Sequence, residues 1–114
     1  MDEPNANLER PVPELDENLV RKILGKRVLA GITYRDRDSD EIIKLEQFHG
    51  VMVRVSSRDG VIVQLNDGTE RWLPPVLSRL EEASPGNYRL KGTGEVVVDP
   101  DYLSTWTVYP KEVH

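Results

Sequence analysis

No cysteine occurs among the 114 residues, so the chain can hold neither a disulfide nor a thiolate metal site. Histidine is nearly as scarce: His49 and His114 cannot build a multi-histidine centre alone. No run approaches the ~18 consecutive apolar residues of a membrane-spanning helix. The N-terminus, MDEPNANLERPVPELDENL, carries acids and prolines where a secretory signal would carry a basic start and an apolar stretch. These absences lead to an expected cytoplasmic address, with no cofactor, no metal and no membrane.

A strong charge of one sign is also missing once the net charge of −5 is divided along the chain. Residues 1–20 hold six acids (Asp2, Glu3, Glu9, Glu14, Asp16, Glu17) against Arg10, a balance of −5. Of 20 acids and 15 bases in all, that leaves 14 of each for residues 21–114. A neutral body lacks the broad basic field that drives non-specific nucleic-acid binding. Residues 1–12 are polar, with Pro4 and Pro11, and carry too little apolar surface to offset the entropy of ordering them. They are expected to form a disordered acidic arm ahead of a single domain at 13–114.

What the sequence does contain is period-two alternation. Across FHGVMVRVSSRDGVIVQLNDGTERWLPP, residues 48–75, Val51, Val53 and Val55 alternate with Met52, Arg54 and Ser56. Beyond a turn, Val61, Val63 and Leu65 alternate with Ile62, Gln64 and Asn66. Such alternation marks half-buried strands, and Arg58-Asp59-Gly60 and Asn66-Asp67-Gly68 supply hairpin turns. This predicts a mainly β fold with a three-strand meander. Gly50 is read as a bulge that bends the first of these strands. Upstream, Leu15, Leu19, Val20, Ile23 and Leu24 share a helical face, with acids at the start and Arg21 and Lys22 at the end. That pattern predicts a short N-terminal helix over about 13–25, with Pro13 in its first turn and Gly25 at its cap. Val28, Ala30, Ile32 and Tyr34 alternate as another strand, and Leu77 to Leu80 reads as one helical or 3₁₀ turn. Glu95 to Val98, Asp99-Pro100-Asp101 and Tyr102 to Tyr109 predict a C-terminal β-hairpin.

Many short strands with tight turns call for closure or protection of their edges. The stretch Gly60 to Gly68, followed by Glu70, Trp72 and Pro74 and a turn at Leu77 to Leu80, resembles the SH3-like and Tudor-like small barrels. The resemblance covers about residues 26 to 80. It implies a small, partly open antiparallel barrel, to which the C-terminal hairpin is an addition or an alternative closure. The chain as a whole is similar to small bacterial proteins without an assigned activity.

Catalytic constellations are thin: there is no G-x-S-x-G elbow, no H-E-x-x-H pair and no phosphate-cradling loop. His49 with Ser56, Ser57 or Asp59 is the one dyad the composition offers. The run Asp36-Arg37-Asp38-Ser39-Asp40 starts like a calcium loop but has Glu41 where glycine is needed and Gln47 in place of the bidentate glutamate. It reads as a solvated hairpin loop. The residues that remain as binding candidates are Tyr34, His49, Arg54, Arg71, Trp72 and Trp106. An outer face of Met52, Arg54, Ile62, Gln64 and Arg71 is expected to mix apolar and charged groups. Together these features favour a non-catalytic module that binds a protein partner through a strand edge, a loop or the acidic arm. By analogy with small acidic domains, inhibition of a toxin by an immunity protein is a special case. The alternative is a nucleic-acid or ribosome-associated SH3-like or Sm-like barrel using Arg54 and Arg71.

Overall fold

The computed structural model describes residues 15–110; the expected acidic arm, Pro13 and His114 lie outside them. Helix α1 spans Glu17–Ile23, later than the sequence suggests. Its N-cap is Asp16, whose side chain accepts from the backbone N–H groups of Asn18 and Leu19. That satisfies two of the donors a helix start leaves free. Gly25, at φ 82, lets the chain turn out of the helix. Its N–H donates to the Met52 carbonyl, while Met52 N–H donates to that of Lys26.

Eight strands follow: β1 (Arg27–Arg35), β2 (Ile42–Ser56), β3 (Gly60–Gln64), β4 (Glu70–Leu73), β5 (Glu81–Glu82), β6 (Asn87–Arg89), β7 (Val96–Val98) and β8 (Tyr102–Val108). A 3₁₀ turn at Leu77–Arg79 precedes β5, as the sequence predicts. One sheet has the order β4-β3-β2-β1-β8-β5, and β6 pairs with β7 in a second. The mainly β class and the meander are therefore present. Among the described residues no sheet closes into a barrel, because β4 and β5 remain separate edges.

The C-terminal hairpin is not formed as expected. Val96–Val98 pairs with Asn87–Arg89, whereas Tyr102–Val108 runs parallel to β1, so the large sheet is mixed rather than antiparallel. The aspartates around Pro100 explain the split. Asp99, at φ 48, exchanges backbone and side-chain hydrogen bonds with Gly86, which closes the β6–β7 hairpin. Asp101 accepts from Arg27 N–H through its carboxylate and donates its own N–H to the Arg27 carbonyl, so β8 starts beside the start of β1.

Two apolar clusters cover opposite faces of the large sheet. On the helix side, Ile23 packs with Val28, Ala30, Phe48, Met52, Val61, Val63 and Leu73. On the hairpin side, Leu90 and Val97 pack on Leu29, with Tyr88 and Leu103 around them. Met52, expected on the outer face, is fully buried. A bulge explains this: Met52 opposes Val63 and Arg54 opposes Ile62, so Val53 is the extra residue and the phase slips there. Gly50, read from sequence as the bulge, instead pairs in register with Val28. Glycine is required at 50 for another reason, since a Cβ would stand 2.2 Å from the Gln64 carbonyl oxygen.

Candidate functional site

Strand β2 is 15 residues long, and its two neighbours use different parts of it. Partner β1 pairs along Ile42 to Val51. Partner β3 begins only at Val51, opposite Gln64, and continues to Ser56. Ile42 to His49 therefore has a ladder on one side only, and the other edge presents free backbone donors and acceptors. The side chains there are exposed: Ile42 is 53% accessible, Ile43 59% and Leu45 52%. A bulge between β1 and β2 leaves Ile43 between Lys44, opposite Tyr34, and Ile42, opposite Arg35.

Each face of this edge carries its own chemistry. Glu46 stands on the helix side, where Arg71 donates at 2.8 Å and Tyr34 O–H at 3.1 Å. Partial burial alone pushes the Glu46 carboxyl up, but the Arg71 and Tyr34 hydrogen bonds and the positive charges of Arg71 and Lys44 outweigh it. The carboxyl is held below its ordinary value. Burial, then the Glu46 hydrogen bond, pushes the Tyr34 hydroxyl up. The Arg71 guanidinium also lies 4.4 Å from the Phe48 ring centroid.

On the hairpin side, Gln47 accepts from Lys91 N–H at 2.8 Å, and His49 meets Glu95 at 2.8 Å. A cleft of about 450 Å³ is lined by Leu45, Glu46, Gln47 and the 90–93 turn. It adjoins a smaller hollow of about 290 Å³ lined by His49, Leu65, Asp67 and Glu95. The two share Gln47, Leu90 and Thr93, forming one groove beside the free edge. A larger hollow of about 580 Å³ lies away from this edge, between Lys22, Glu82 and Asp101. Several of its polar groups have partners: Lys22 pairs with Glu82 at 3.0 Å, Asp101 holds Arg27 N–H and Asp99 accepts from Gly86 N–H.

The six candidates from the sequence are thus dispersed. Tyr34 and Arg71 converge on Glu46; Arg71 belongs to the helix side, not to the outer face expected of it. Trp106 shares that face, opposite Ile32, with the Arg79 guanidinium 4.8 Å from its ring centroid and its indole N–H donating to Ser104. His49 faces the hairpin. Arg54 forms a two-pronged pair with Glu70 at 2.7 and 3.1 Å, far from the groove's Leu45 end. Trp72, a binding candidate from the sequence, is 56% exposed on β4, away from the groove. Ser56 and Asp59 bond to each other at the β2–β3 turn. They stand seven to ten residues beyond His49, about 23 Å along the strand for the nearer one, so the dyad does not assemble.

Sequence reasoning missed Glu46, Leu45 and the 90–93 turn. The exposed run Ile42-Ile43-Lys44-Leu45, apolar on both faces of a strand, was the available signal. The Asp36–Asp40 run is a hairpin loop, with Asp36 accepting from the N–H groups of Ser39 and Asp38, which lowers its carboxyl. Among the described residues no cluster of three or more metal-ligating side chains occurs, and no helix is long and apolar enough to cross a membrane. No protein-family model, no curated protein and no solved structure matches the chain.

Proposed function

We propose that this chain is a non-catalytic interaction module that takes an extended polypeptide segment onto the free edge of β2. One observation carries the reading: the ladder to β3 reaches only Val51, and Ile42 to Gln47 have no strand on that side and expose the apolar side chains Ile42, Ile43 and Leu45. An added strand gains backbone hydrogen bonds along the edge and places alternate side chains in the groove against the 90–93 turn. The sheet's terminal strands do not share these properties. Strand β4 has four residues and runs into Pro74-Pro75, and β5 has two, both glutamate. Short length, proline and charge are how edges are shielded from pairing.

The β2–β3–β4 meander, the 3₁₀ turn and the strands after it also support an SH3-like relationship of architecture, which we propose with the sheet left open between β4 and β5. Arg54 and Arg71 face opposite sides and each holds a glutamate, so their placement lends no support to a nucleic-acid surface. The cytoplasmic address belongs to the same proposal.

The test is binding measured with a tagged chain. Leu45→Asp should weaken retention of the bound polypeptide by tenfold or more, from the ~1.5–3 kcal/mol that burying a leucine supplies. Trp72→Ala, at the far end of the sheet, should leave it unchanged. Binding indifferent to Leu45→Asp would refute the reading.

A further inference from the structure

We infer that the segment received by the β2 edge is the same edge of a second copy, giving a two-fold antiparallel β2–β2 dimer with Leu45 on the axis. This rests on the strand-addition reading above and names its occupant.

The argument is one of register and charge. When two identical strands pair antiparallel about an axis perpendicular to the sheet, directly opposed residues must lie on the same face. One residue must then oppose its own copy. Within the free edge from Ile42 to His49, registers centred on Lys44, Leu45, Glu46 or Gln47 overlap extensively, and the last sets Gln47 against itself with no opposite-charge pair. Centring on Lys44 sets two ammonium groups face to face, and centring on Glu46 sets two carboxylates face to face, both unfavourable. Centring on Leu45 sets Leu45 against Leu45 of the second copy and Lys44 against Glu46 of the second copy, twice by symmetry. Ile43 then opposes Gln47. Both opposite-charge pairs fall on the helix-side face, because Lys44 pairs with Tyr34 and Glu46 with Ile32 in the β1–β2 register. The two leucines fall on the hairpin side, where the cleft of about 450 Å³ beside Leu45 lies open.

The supply of groups fits this occupant. Lys44 lies 3.8 Å from Glu46 and 5.5 Å from the Tyr34 ring centroid within its own chain, and its 60% exposed side chain turns outward at the cost of these two long contacts. Arg71 and Tyr34 fix Glu46 in place as an acceptor. Leu45, exposed in a single copy, becomes covered by its own equivalent.

The experiment combines mass by light scattering, at roughly 10 to 500 µM to bracket micromolar affinity, with oxidation of a Leu45→Cys variant and hydrogen exchange. Since the chain has no native cysteine, a bridge can form only between the introduced thiols. Expected are a dimer, rapid disulfide cross-linking of Leu45→Cys but not of Ile43→Cys, and a roughly tenfold or greater weakening by Lys44→Glu, which turns both charge pairs repulsive. All three positions are exposed, and an unchanged circular dichroism spectrum verifies folding. A dimer indifferent to Lys44→Glu, or one in which Ile43→Cys cross-links as fast as Leu45→Cys, overturns the register and the proposal. A monomer throughout also overturns it, and hydrogen exchange then separates the causes. Fast exchange of the edge amides between Ile42 and Gln47 would leave the edge open for another polypeptide, so only the second copy fails. Protection of every amide there in the monomer would remove the strand-addition reading as well.

Discussion

Two glycines in adjacent strands should answer the same substitution with opposite signs. At Gly50 a methyl group would lie 2.2 Å from the carbonyl oxygen and 2.8 Å from the carbonyl carbon of Gln64, and 3.0 Å from a Val63 methyl. The first two are backbone atoms, so no side-chain rotation relieves the contact. Carbon and carbonyl oxygen settle at about 3.3 Å or more, which requires β2 and β3 to part by ~1 Å where their ladder begins. Overpacking of this kind costs about 1–3 kcal/mol, and loss of the terminal Val51–Gln64 pairing adds about 1 kcal/mol. Restricting the unfolded chain returns roughly 0.4–1 kcal/mol. The net for Gly50→Ala is a destabilisation of ~2 kcal/mol. Gly31 has open space around its virtual Cβ and no positive φ. Gly31→Ala should therefore stabilise by about 0.5 kcal/mol through the unfolded-state effect alone. Urea unfolding at constant slope reads both as midpoint shifts in opposite directions. The close approach of β2 and β3 at Gly50 is refuted if Gly50→Ala unfolds within about 0.5 kcal/mol of the parent, a limit below the overpacking range.

Met52→Ala should cost about 2–5 kcal/mol, since its fully buried side chain leaves a cavity; a value under 1 kcal/mol in the same assay would place Met52 outside the core. The Glu46 carboxyl is depressed in the folded chain, so its contribution is present above the unfolded pKa and fades as pH falls through the lower folded value. Stability should consequently drop below about pH 4.5, and Glu46→Gln should flatten that limb of the profile. Arg54 and Glu70 form a well-aligned but exposed pair, with side chains 61% and 41% accessible. A double-mutant cycle should give only a weak coupling that shrinks with salt.

Much of the chain was legible because local chemistry and fold agree there. The valines of β3, the Asn-Asp-Gly turn, the dipole-matched ends of α1 and the 3₁₀ turn at Leu77 follow from spacing and turn residues. Met52 was misplaced because a bulge at Val53 inserts one residue without any change in hydrophobicity. Val51, Val53 and Val55 look like one face and are not. The 99–101 turn misled for a different reason: Asp-Pro-Asp is sound hairpin chemistry, but its carboxylates and N–H groups are drawn to Gly86 and Arg27 instead. Helix and hairpin also bury opposite faces of β1, so Leu29 joins a core that alternation assigned to solvent. The Glu46–Arg71–Tyr34 cluster depends on how β4 folds over β2, which no spacing in the sequence encodes.

What sets the β2 overhang apart is selective protection. An unshielded edge of apolar residues is a hazard for aggregation, and the two terminal strands of this sheet carry Pro74-Pro75 after β4 and Glu81-Glu82 in β5, the latter covering only Tyr102 and Leu103 of β8. The overhang is treated differently. It carries one lysine, one glutamate and a bulge at Ile43, devices that penalise the registers centred on Lys44 and on Glu46 and favour the one centred on Leu45. Lys44 against Lys44 and Glu46 against Glu46 are repelled, and the bulge disrupts alternation beyond Ile43, so indiscriminate stacking is disfavoured. Only the arrangement centred on Leu45 turns both charges into attractions. Shielding that is selective rather than absolute distinguishes a surface kept open for one geometry from one merely left uncovered.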